Sequence, residues 1–410
     1  MTLAPAVSPD LESVAGAQAR LLDGVNVLPS EQVGLEAALG RILAQTVSSQ
    51  SDLPGFDNSA MDGYAVRASE IDAASATAPT RLPVVGESRA GAMPIALEPG
   101  TAMRIMTGAP MPAGADTVVR QEDTTRDGAD VLIQVATAKG TSVRWRGKDM
   151  ATGAAVLHPG LELTSIDIAV AAALGNARLT VGRRPRVALL ATGDELVPAG
   201  APLGPAQLVD SNSPMLAAAV REAGGLPTFL GIGRDSKESL QTLLQTAARS
   251  DLIVSSAGVS VGDHDWVREV VSEMGTISTW RVAMRPGKPV LTGTIGTAVF
   301  IGLPGNPVSS SVTFELFARP VIKKMQGAHR LHRRRMQVRL GEDMTKPEPL
   351  ETYARAVLHE TPGKLPTALS SGDQGSSMLH SLTRADCLVV LPVGLEVVPA
   401  GTVVEAIPLR

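Results

Sequence analysis

The sequence has a single cysteine, Cys387, among its 410 residues. One cysteine excludes an internal disulfide and any CxxC metal or redox motif, and it fits a reducing compartment such as the cytoplasm. Phe, Tyr and Trp together make up only 2% of the chain, whereas hydrophobic residues as a whole make up 44%. The cores are therefore predicted to consist of Ala, Val, Leu and Ile.

Long apolar runs and a strong net charge are also missing. The longest apolar stretches, such as IAVAAALG, fall well short of the ~20 residues that a transmembrane helix needs. The N-terminal sequence MTLAPAVSPDLESVAG lacks the pattern of a signal peptide. With 41 acidic and 37 basic residues, the net charge of −4 gives no broad field for nucleic acid or an anionic membrane. We therefore expect a cytoplasmic protein with no nucleic-acid or membrane partner.

Hydrophobic periodicity and turn residues divide the chain into four regions. Helices are predicted over residues 10–21, 30–45 and 162–180, the last with Thr164 or Ser165 as its N-cap and Gly175 near its end. The regions are a helical and linking part (1–52 and 141–180), a mostly antiparallel β domain (53–140), a doubly wound α/β domain with a parallel sheet (181–327), and a small β domain (328–410).

Five polar or glycine-rich stretches follow strands of the α/β region. They are TGDE (192–195), GRD (233–235), SSAGVSVGDHD (255–265), RPGKP (285–289) and GLPGNP (302–307). In such a sheet, ligands bind beyond the carboxyl ends of the strands. Glycine N–H groups and helix N-termini suit phosphate, and carboxylates such as Glu195 and Asp263 suit Mg²⁺. One loop of this kind is more often structural, because caps and turns use the same residues. The coincidence of five predicts a site for phosphate and Mg²⁺.

Three further loops, in the β domain, are FDNSAMDGYAV (56–66), RIMTGAP (104–110) and RWRGKDM (144–150). A structural alternative for the first is an Asx-turn with buried Met61 and Tyr64, and for the third a solvated basic turn. The chain has no Walker A, GxGxxG, HExxH or GxSxG motif, so ATPase, dinucleotide, metalloprotease and esterase functions find no support. Catalysis by positioning and electrostatics is the remaining interpretation.

Taken in order, DNSAMDGYAVR, RIMTGAP, TGDEL, SAGVSVGDHD, RPGKP and GLPGNPVS resemble the MoeA family of molybdopterin molybdenumtransferases, which includes the E domain of gephyrin-like proteins. The resemblance runs from about residue 10 to 405. It implies a four-part homodimer with a molybdopterin-binding α/β domain and a C-terminal β-barrel. The implied reaction inserts molybdenum from molybdate into adenylylated molybdopterin and releases AMP, with Mg²⁺ as the divalent cation. Transient contact with the adenylyltransferase and with apo-molybdoenzymes is also implied.

The resemblance also assigns roles to individual residues. The implied catalytic residues are Asp62, Thr107, Arg144, Asp149, Glu195, Asp235 and Asp265. The implied metal ligands are Asp62, Glu195 and Asp265. The implied substrate-binding residues are Thr192, Gly193, Asp194, Ser256, Gly258, Ser260, Gly262, Asp263, Arg285, Lys288, Pro304, Gly305, Asn306 and Ser309. The loop that carries Asp62 is expected to reach across a subunit interface and complete a site on the α/β domain of another chain.

Four positions depart from the family pattern. Arg285 stands where lysine is frequent, and Ala257 stands where glycine is common, so a positive φ at Ala257 would be strained. Lys148 and His264 are also atypical, which leaves tungstate as an alternative to molybdate. Two other functions stay open. One is a molybdopterin adenylyltransferase, which shares the α/β domain but needs fewer residues. The other is a non-catalytic gephyrin-like scaffold, for which the chain lacks a long disordered linker.

Overall fold

The computed structural model describes residues 11–257, 266–346 and 350–409. These residues form three six-stranded sheets together with several two-stranded ribbons. No helix in the described part of the chain is long and apolar enough to cross a membrane. The buried side chains are overwhelmingly aliphatic, as the composition predicts.

Residues 11–182 consist of a small frame with a β-sheet inserted into it. The elements in chain order are α1 (Val14–Asp23), β1 (Ser30–Gly34), β2 (Val47–Ser48), β3 (Asn58–Ser59), β4 (Gly63–Val66), β5 (Thr80–Ser88), β6 (Ala102–Ile105), β7 (Thr117–Arg120), β8 (Thr124–Asp127), β9 (Asp130–Ile133), β10 (Val143–Arg144), β11 (Ala155–Leu157), α2 (Ser165–Ala173) and β12 (Arg178–Gly182). The inserted sheet has the order β7-β4-β6-β5-β9-β8, and only the pairing of β5 with β6 is parallel. The prediction of a mostly antiparallel arrangement is confirmed.

The frame consists of α2 and two antiparallel ribbons, β1 with β12 and β2 with β11, whereas α1 packs in a core of the α/β region. Helix α2 begins where the sequence predicts, because Thr164 is its N-cap. The Oγ1 of Thr164 accepts a hydrogen bond from the N–H of Asp167 at 3.3 Å, and Asp167 Oδ2 accepts one from the N–H of Thr164 at 2.8 Å. This reciprocal capping box satisfies two N–H groups that a helix start would otherwise leave without a partner.

The helix predicted over residues 30–45 is wrong. The chain forms β1, a short 3₁₀ turn at Leu35–Ala37 and then Gly40 with a φ of +70°. The apolar residues with helical spacing are buried all the same, since Ala38 and Leu43 pack in one core with Val181 of β12. The partner strand that favours an extended chain lies about 150 residues further on, so local spacing does not reveal it.

Residues 186–325 form the α/β region. Its elements are β13 (Arg186–Thr192), β14 (Leu196–Val197), β15 (Leu208–Val209), α3 (Asn212–Glu222), β16 (Leu226–Gly233), α4 (Lys237–Ala247), β17 (Leu252–Ser256), α5 (Trp266–Met274), β18 (Gly275–Arg281), β19 (Met284–Arg285), β20 (Pro289–Ile295), β21 (Ala298–Leu303), α6 (Pro307–Thr313) and α7 (Arg319–Met325), with a π-helical turn at Phe314–Ala318 between the last two. The sheet order is β16-β13-β17-β21-β20-β18. The first four strands are parallel. Strand β20 is antiparallel to β21, and β18 is antiparallel to β20, so β18 has the same direction as the first four strands.

Helices cover both faces of this sheet, so the doubly wound prediction is confirmed. Along β13, Val187 and Leu189 pack in the core that contains α1, α3, α6 and α7, while Ala188 and Leu190 pack in the core that contains α4 and α5. The chain leaves β13 toward α3 on one face and enters α5 on the other face after β17. The connections that follow β13 and β17 therefore leave toward opposite faces of the sheet, and such a point is where open α/β sheets bind ligands.

The remaining residues form a closed barrel. Its elements are β22 (Met336–Leu340), β23 (Met344–Thr345), β24 (Glu351–His359), β25 (Thr367–Ser370), α8 (His380–Arg384), β26 (Cys387–Leu391), β27 (Val397–Val398) and β28 (Val403–Pro408). The ring runs β24-β25-β22-β28-β26 and returns to β24. Strand β19 of the α/β region adds to β24 in parallel, and this joins the two regions.

Candidate functional site

A cavity of about 620 Å³ opens at the carboxyl ends of β13, β17 and β21. It lies where the connections after β13 and β17 leave toward opposite faces of the sheet. Five of the predicted residues line it: Glu195, Ser256, Pro304, Gly305 and Asn306. Residues that the sequence did not single out also contribute to its wall, among them Asp210, Ser211 and Asn212 at the start of α3.

The TGDE stretch after β13 contacts the GRD stretch after β16. The N–H of Gly193 donates to the carbonyl of Gly233 at 3.3 Å, and the N–H of Asp235 donates to Asp194 Oδ1 at 3.3 Å. Gly193 has a φ of +143°, and a Cβ on it would lie 2.4 Å from an oxygen of Glu195. Glycine is therefore required if the Glu195 carboxylate is to keep this position beside the cavity.

Asn212 joins three parts of the cavity wall. Its Nδ2 donates to Ser256 Oγ at 2.8 Å and to the carbonyl of Gly305 at 2.7 Å, and the residue is only 8% exposed. The first residue of α3 is thus tied to the end of β17 and to the loop after β21. Asn212 was not predicted from the sequence, although the run VDSNS (209–213) just before a helix was an available signal.

Ala257 and Asn306, for which the sequence makes specific predictions, both line this cavity. Ala257 has a φ of +74°, so the predicted strain at this departure from glycine is confirmed. Asn306 occupies the N-cap position of α6 with Pro307 in the first turn, as expected. Within the described residues, however, its side chain does not cap the helix and instead donates to Ser376 Oγ at 3.0 Å. Ser309 is buried within α6, where its carbonyl accepts a bond from Thr313.

The predicted cationic pair does not line this cavity together. Arg285 lines a second cavity of about 420 Å³, between β19 and the C-terminal barrel. The same cavity contains Arg355, a guanidinium only 1% exposed that donates to Ser381 Oγ at 2.9 Å and to the carbonyl of Asp373 at 2.9 Å. Lys288 is half-buried just before β20. The sequence analysis did not identify Arg355.

Asp62 and Thr107, predicted from separate motifs, are in contact on the inserted sheet. Asp62 Oδ1 accepts hydrogen bonds from the N–H of Thr107 at 2.7 Å and from its Oγ1 at 2.8 Å. These bonds, with a smaller contribution from the charge of Arg104, lower the pKa of Asp62. Tyr64 is buried, but Met61 is 41% exposed, so the structural alternative of two buried side chains holds only for Tyr64.

The RWRGKDM loop runs beside the loop that carries Asp62. Arg144 lies in β10, opposite Asn58 of β3. The N–H of Asp149 donates to the carbonyl of Leu53 at 3.0 Å. The side chains of Arg144 and Asp149 are exposed, so this edge of the inserted sheet presents a cation and two carboxylates, counting Asp62.

Several of the predicted residues therefore fall into two groups on different sheets, and Arg285 belongs to neither because it lines the second cavity. One group surrounds Asp62 and the other surrounds the 620 Å³ cavity. The predicted residues Gly258, Ser260, Gly262, Asp263 and Asp265 lie outside the described residues. Among residues 11–257, 266–346 and 350–409, no group of three or more His, Cys, Asp or Glu side chains could hold a metal ion.

Three family models match the chain in succession. They are "MoeA N-terminal region (domain I and II)" over residues 12–175, "Probable molybdopterin binding domain" over 188–324, and "MoeA C-terminal region (domain IV)" over 337–409. A protein of Nostoc sp. named molybdopterin molybdenumtransferase is 41% identical over 91% of this chain and 87% of its own length. The chain belongs to the MoeA family.

Other relatives are similar over a comparable share of the chain. Molybdopterin molybdenumtransferase 2 of Mycobacterium tuberculosis is 38% identical over 90% of this chain and 93% of its own length. The crystal structure of the molybdopterin biosynthesis MoeA protein from Pyrococcus horikoshii superimposes with a TM-score of 0.85 at 26% identity, covering 97% of this chain and all of that one. The 620 Å³ cavity lies mainly within the part of the chain that matches the molybdopterin-binding domain.

Proposed function

We propose that this protein is a molybdopterin molybdenumtransferase that inserts molybdenum from molybdate into adenylylated molybdopterin and releases AMP. One observation carries the proposal: the cavity beyond the carboxyl ends of β13 and β17 falls in the region that matches a molybdopterin-binding domain. Its relatives over nine-tenths of the chain are named for this transferase activity. The family membership supports the enzyme class, and the cavity supports the place of binding.

The substrate would occupy the 620 Å³ cavity with its phosphates toward the loop after β21 and the start of α3. Backbone N–H groups at a helix start favour an anion, and Asn212 holds that start against Ser256 and Gly305. Glu195 is exposed beside the cavity. Glu195 and Asp265, with Asp62 supplied by a second chain, are the residues that would hold Mg²⁺, which would neutralise the phosphate oxygens.

Molybdate is a dianion, so cationic side chains are proposed to bind it. Arg285 and Lys288, and also Arg144 from the inserted sheet, supply fixed positive charge. In the proposed reaction the two dithiolene thiols of the substrate bind molybdenum, and one oxo ligand leaves as water with the two thiol protons. A separate water cleaves the phosphoanhydride, and AMP leaves. No side chain of the protein forms a covalent intermediate, so its contribution is to position and to stabilise charge.

A homodimer in the cytoplasm is part of the proposal, with transient contacts to the adenylyltransferase that supplies the substrate and to the apo-molybdoenzymes that receive the product. The separation of the Asp62 group from the cavity supports the dimer, because a second chain can bring the two groups together.

The test is to incubate the purified protein with adenylylated molybdopterin, Mg²⁺ and molybdate, and to follow AMP release and activation of an apo-molybdoenzyme. We expect both signals to depend on molybdate, and parallel reactions with tungstate measure the choice of metal. Formation of the adenylylated pterin from ATP and molybdopterin would instead support an adenylyltransferase. Substrate binding without release of AMP would support a scaffold.

Two variants connect this activity to the residues. Asp62→Ala and Glu195→Ala are expected to fold normally and to lose AMP release, since both carboxylates are exposed and neither belongs to a core. Glu238→Ala, an exposed carboxylate at the start of α4, is the control and should leave the rate unchanged. Full turnover by both test variants would contradict the assigned roles.

A further inference from the structure

The side chain of Asp52 connects the two segments of chain that flank the Asp62 group. Its Oδ1 accepts hydrogen bonds from the N–H and the Oγ1 of Thr152, both at 2.8 Å, and its Oδ2 accepts one from Nε of Arg146 at 2.6 Å. The backbone bond from Thr152 is the largest cause that lowers the pKa of Asp52 to about 2. Asp52 is therefore a carboxylate at every pH at which the protein works.

Backbone hydrogen bonds continue the same connection. The N–H of Gly147 donates to the carbonyl of Pro54 at 2.9 Å, and the N–H of Asp149 donates to the carbonyl of Leu53 at 3.0 Å. The N–H of Arg146 donates to Asp57 Oδ1 at 2.7 Å. Residues 146–152 therefore lie along residues 52–57. The Asp57 side chain fixes one end of this contact and the Asp52 side chain fixes the other. Arg144 precedes this segment and Asp149 lies within it.

We propose that Asp52, acting through Arg146 and Thr152, is a positioning residue that fixes Arg144 and Asp149 for the transfer reaction. The inference rests on the proposed function. Arg144 and Asp149 have exposed side chains, and β10 is only two residues long, so regular secondary structure alone does little to hold them. A misplacement of about 1 Å in a reacting geometry is enough to lower a rate ~100-fold.

An ordinary surface ion pair is the alternative explanation. Arg146 is 64% exposed, and an isolated pair of this kind adds roughly 0–1 kcal/mol to stability. The Asp52 carboxylate differs from such a pair because two of its three donors belong to Thr152, one of them a backbone N–H. The ion pair at Arg81 and Asp127, in the same inserted sheet and more than half exposed on both sides, is the matched comparison.

The first experiment compares Asp52→Asn with Asp127→Asn in steady-state molybdenum insertion. Asparagine keeps an oxygen for the two Thr152 donors but removes the charge that binds Arg146. We expect kcat to fall about tenfold in Asp52→Asn, with KM for adenylylated molybdopterin within about twofold of wild type. Asp127→Asn should match wild type. Arg146→Gln should reproduce the Asp52→Asn value, because it breaks the same bond from the other side.

A double-mutant comparison separates positioning from general stability. If Asp52 acts by positioning Arg144 and Asp149, its substitution should matter little once those two side chains are gone. In a protein in which Arg144 and Asp149 are already alanine, Asp52→Asn should therefore lower kcat by less than about twofold. A purely structural role predicts that the tenfold loss is retained on that background, and this result would overturn the inference.

Amide hydrogen exchange supplies a readout that needs no substrate. Exchange at residues 146–152 should be faster in Asp52→Asn than in wild type and unchanged in Asp127→Asn. Unchanged exchange in Asp52→Asn would refute the anchoring. An inactive wild-type protein would overturn the proposed function and this inference with it, whereas an active wild type with a fully active Asp52→Asn variant would overturn the inference alone.

Discussion

Single residues in this protein act mainly through partners that are distant in sequence. The bonds from Asp52 reach Arg146 and Thr152, 94 and 100 residues further along the chain. Asp62 and Thr107 are separated by 45 residues. The motif around Asp62 indicated a functional carboxylate, but a single side chain carries no information about which distant donor will bind it. This is why Asp52, Asn212 and Arg355 were not predicted, although each holds a loop beside a candidate site.

The low pKa of Asp52 predicts how stability depends on pH. A carboxylate whose pKa is lower in the folded state than the ordinary value near 4 stabilises the fold above that value, and its contribution is lost as the pH falls toward about 2. We expect wild type to exceed Asp52→Asn in free energy of unfolding at pH 6, and the difference to shrink as the pH falls below the ordinary value and to vanish only below a pH of about 2. Denaturant unfolding at a series of pH values measures it. A difference that stays constant from pH 6 to 2 would contradict the assignment.

Ala257 gives a second prediction for a single residue. Because its φ of +74° lies in the left-handed region, Ala257→Gly should raise the free energy of unfolding by about 1 kcal/mol. Ala248→Gly, at a φ of −59°, is the control and should lower stability, since glycine gains nothing in a right-handed helical conformation. Equal effects of the two substitutions would show that φ is not the cause. The family resemblance predicted strain at this position from the sequence alone, because the expected residue there is glycine.

At the scale of the elements, local signals succeed where the partner is near. Helix α2 was predicted with its cap because Thr164 and Asp167 are three residues apart. The alternation of strands and helices in residues 186–325 was likewise visible in the sequence. The helix predicted over residues 30–45 failed because β1 pairs with β12 from beyond the inserted sheet. The reversed direction of β20, which is antiparallel to both β21 and β18, was also not predicted, since the expectation was a parallel sheet.

Strand β4, which lies between β7 and β6 in the inserted sheet, gives a prediction at this scale. Gly63 in β4 lies so close to β7 that a Cβ would be 1.9 Å from the carbonyl oxygen of Val119. Gly63→Ala should lower the free energy of unfolding by about 1–3 kcal/mol and should also reduce turnover, because Asp62 is the adjacent residue. Gly86→Ala in β5 has open space around its Cβ and is the control. Thermal unfolding and AMP release measure the two effects, and equal behaviour of both variants would refute the steric cause.

At the scale of the whole molecule, the two groups of site residues predict complementation between chains. If Asp62 of one chain completes the cavity of another, a mixed dimer of Asp62→Ala and Glu195→Ala chains has one site with both carboxylates and one with neither. An equimolar mixture that exchanges subunits freely should recover about a quarter of the wild-type rate, because half of the dimers are mixed and half of their sites are intact.

The measurement is AMP release before and after the two inactive variants are mixed and allowed to exchange. Each variant mixed with itself is the control. Recovery to about a quarter supports a site shared between chains, whereas no recovery after demonstrated exchange would place both carboxylates in a site within one chain.

The nested arrangement of the first 182 residues has a consequence for biosynthesis. Ser48 pairs with Ala155 and Val47 with Leu157, so the inserted sheet enters and leaves the frame at adjacent points. A chain that emerges from the ribosome N-terminus first has all strands of that sheet by residue 133, whereas β1 must wait for β12 at 178–182. Early folding of the insert would bring the two halves of the frame together and shorten the loop that remains to be closed. During synthesis, the inserted sheet would then fold before the frame and hold the two halves of the frame close enough to pair.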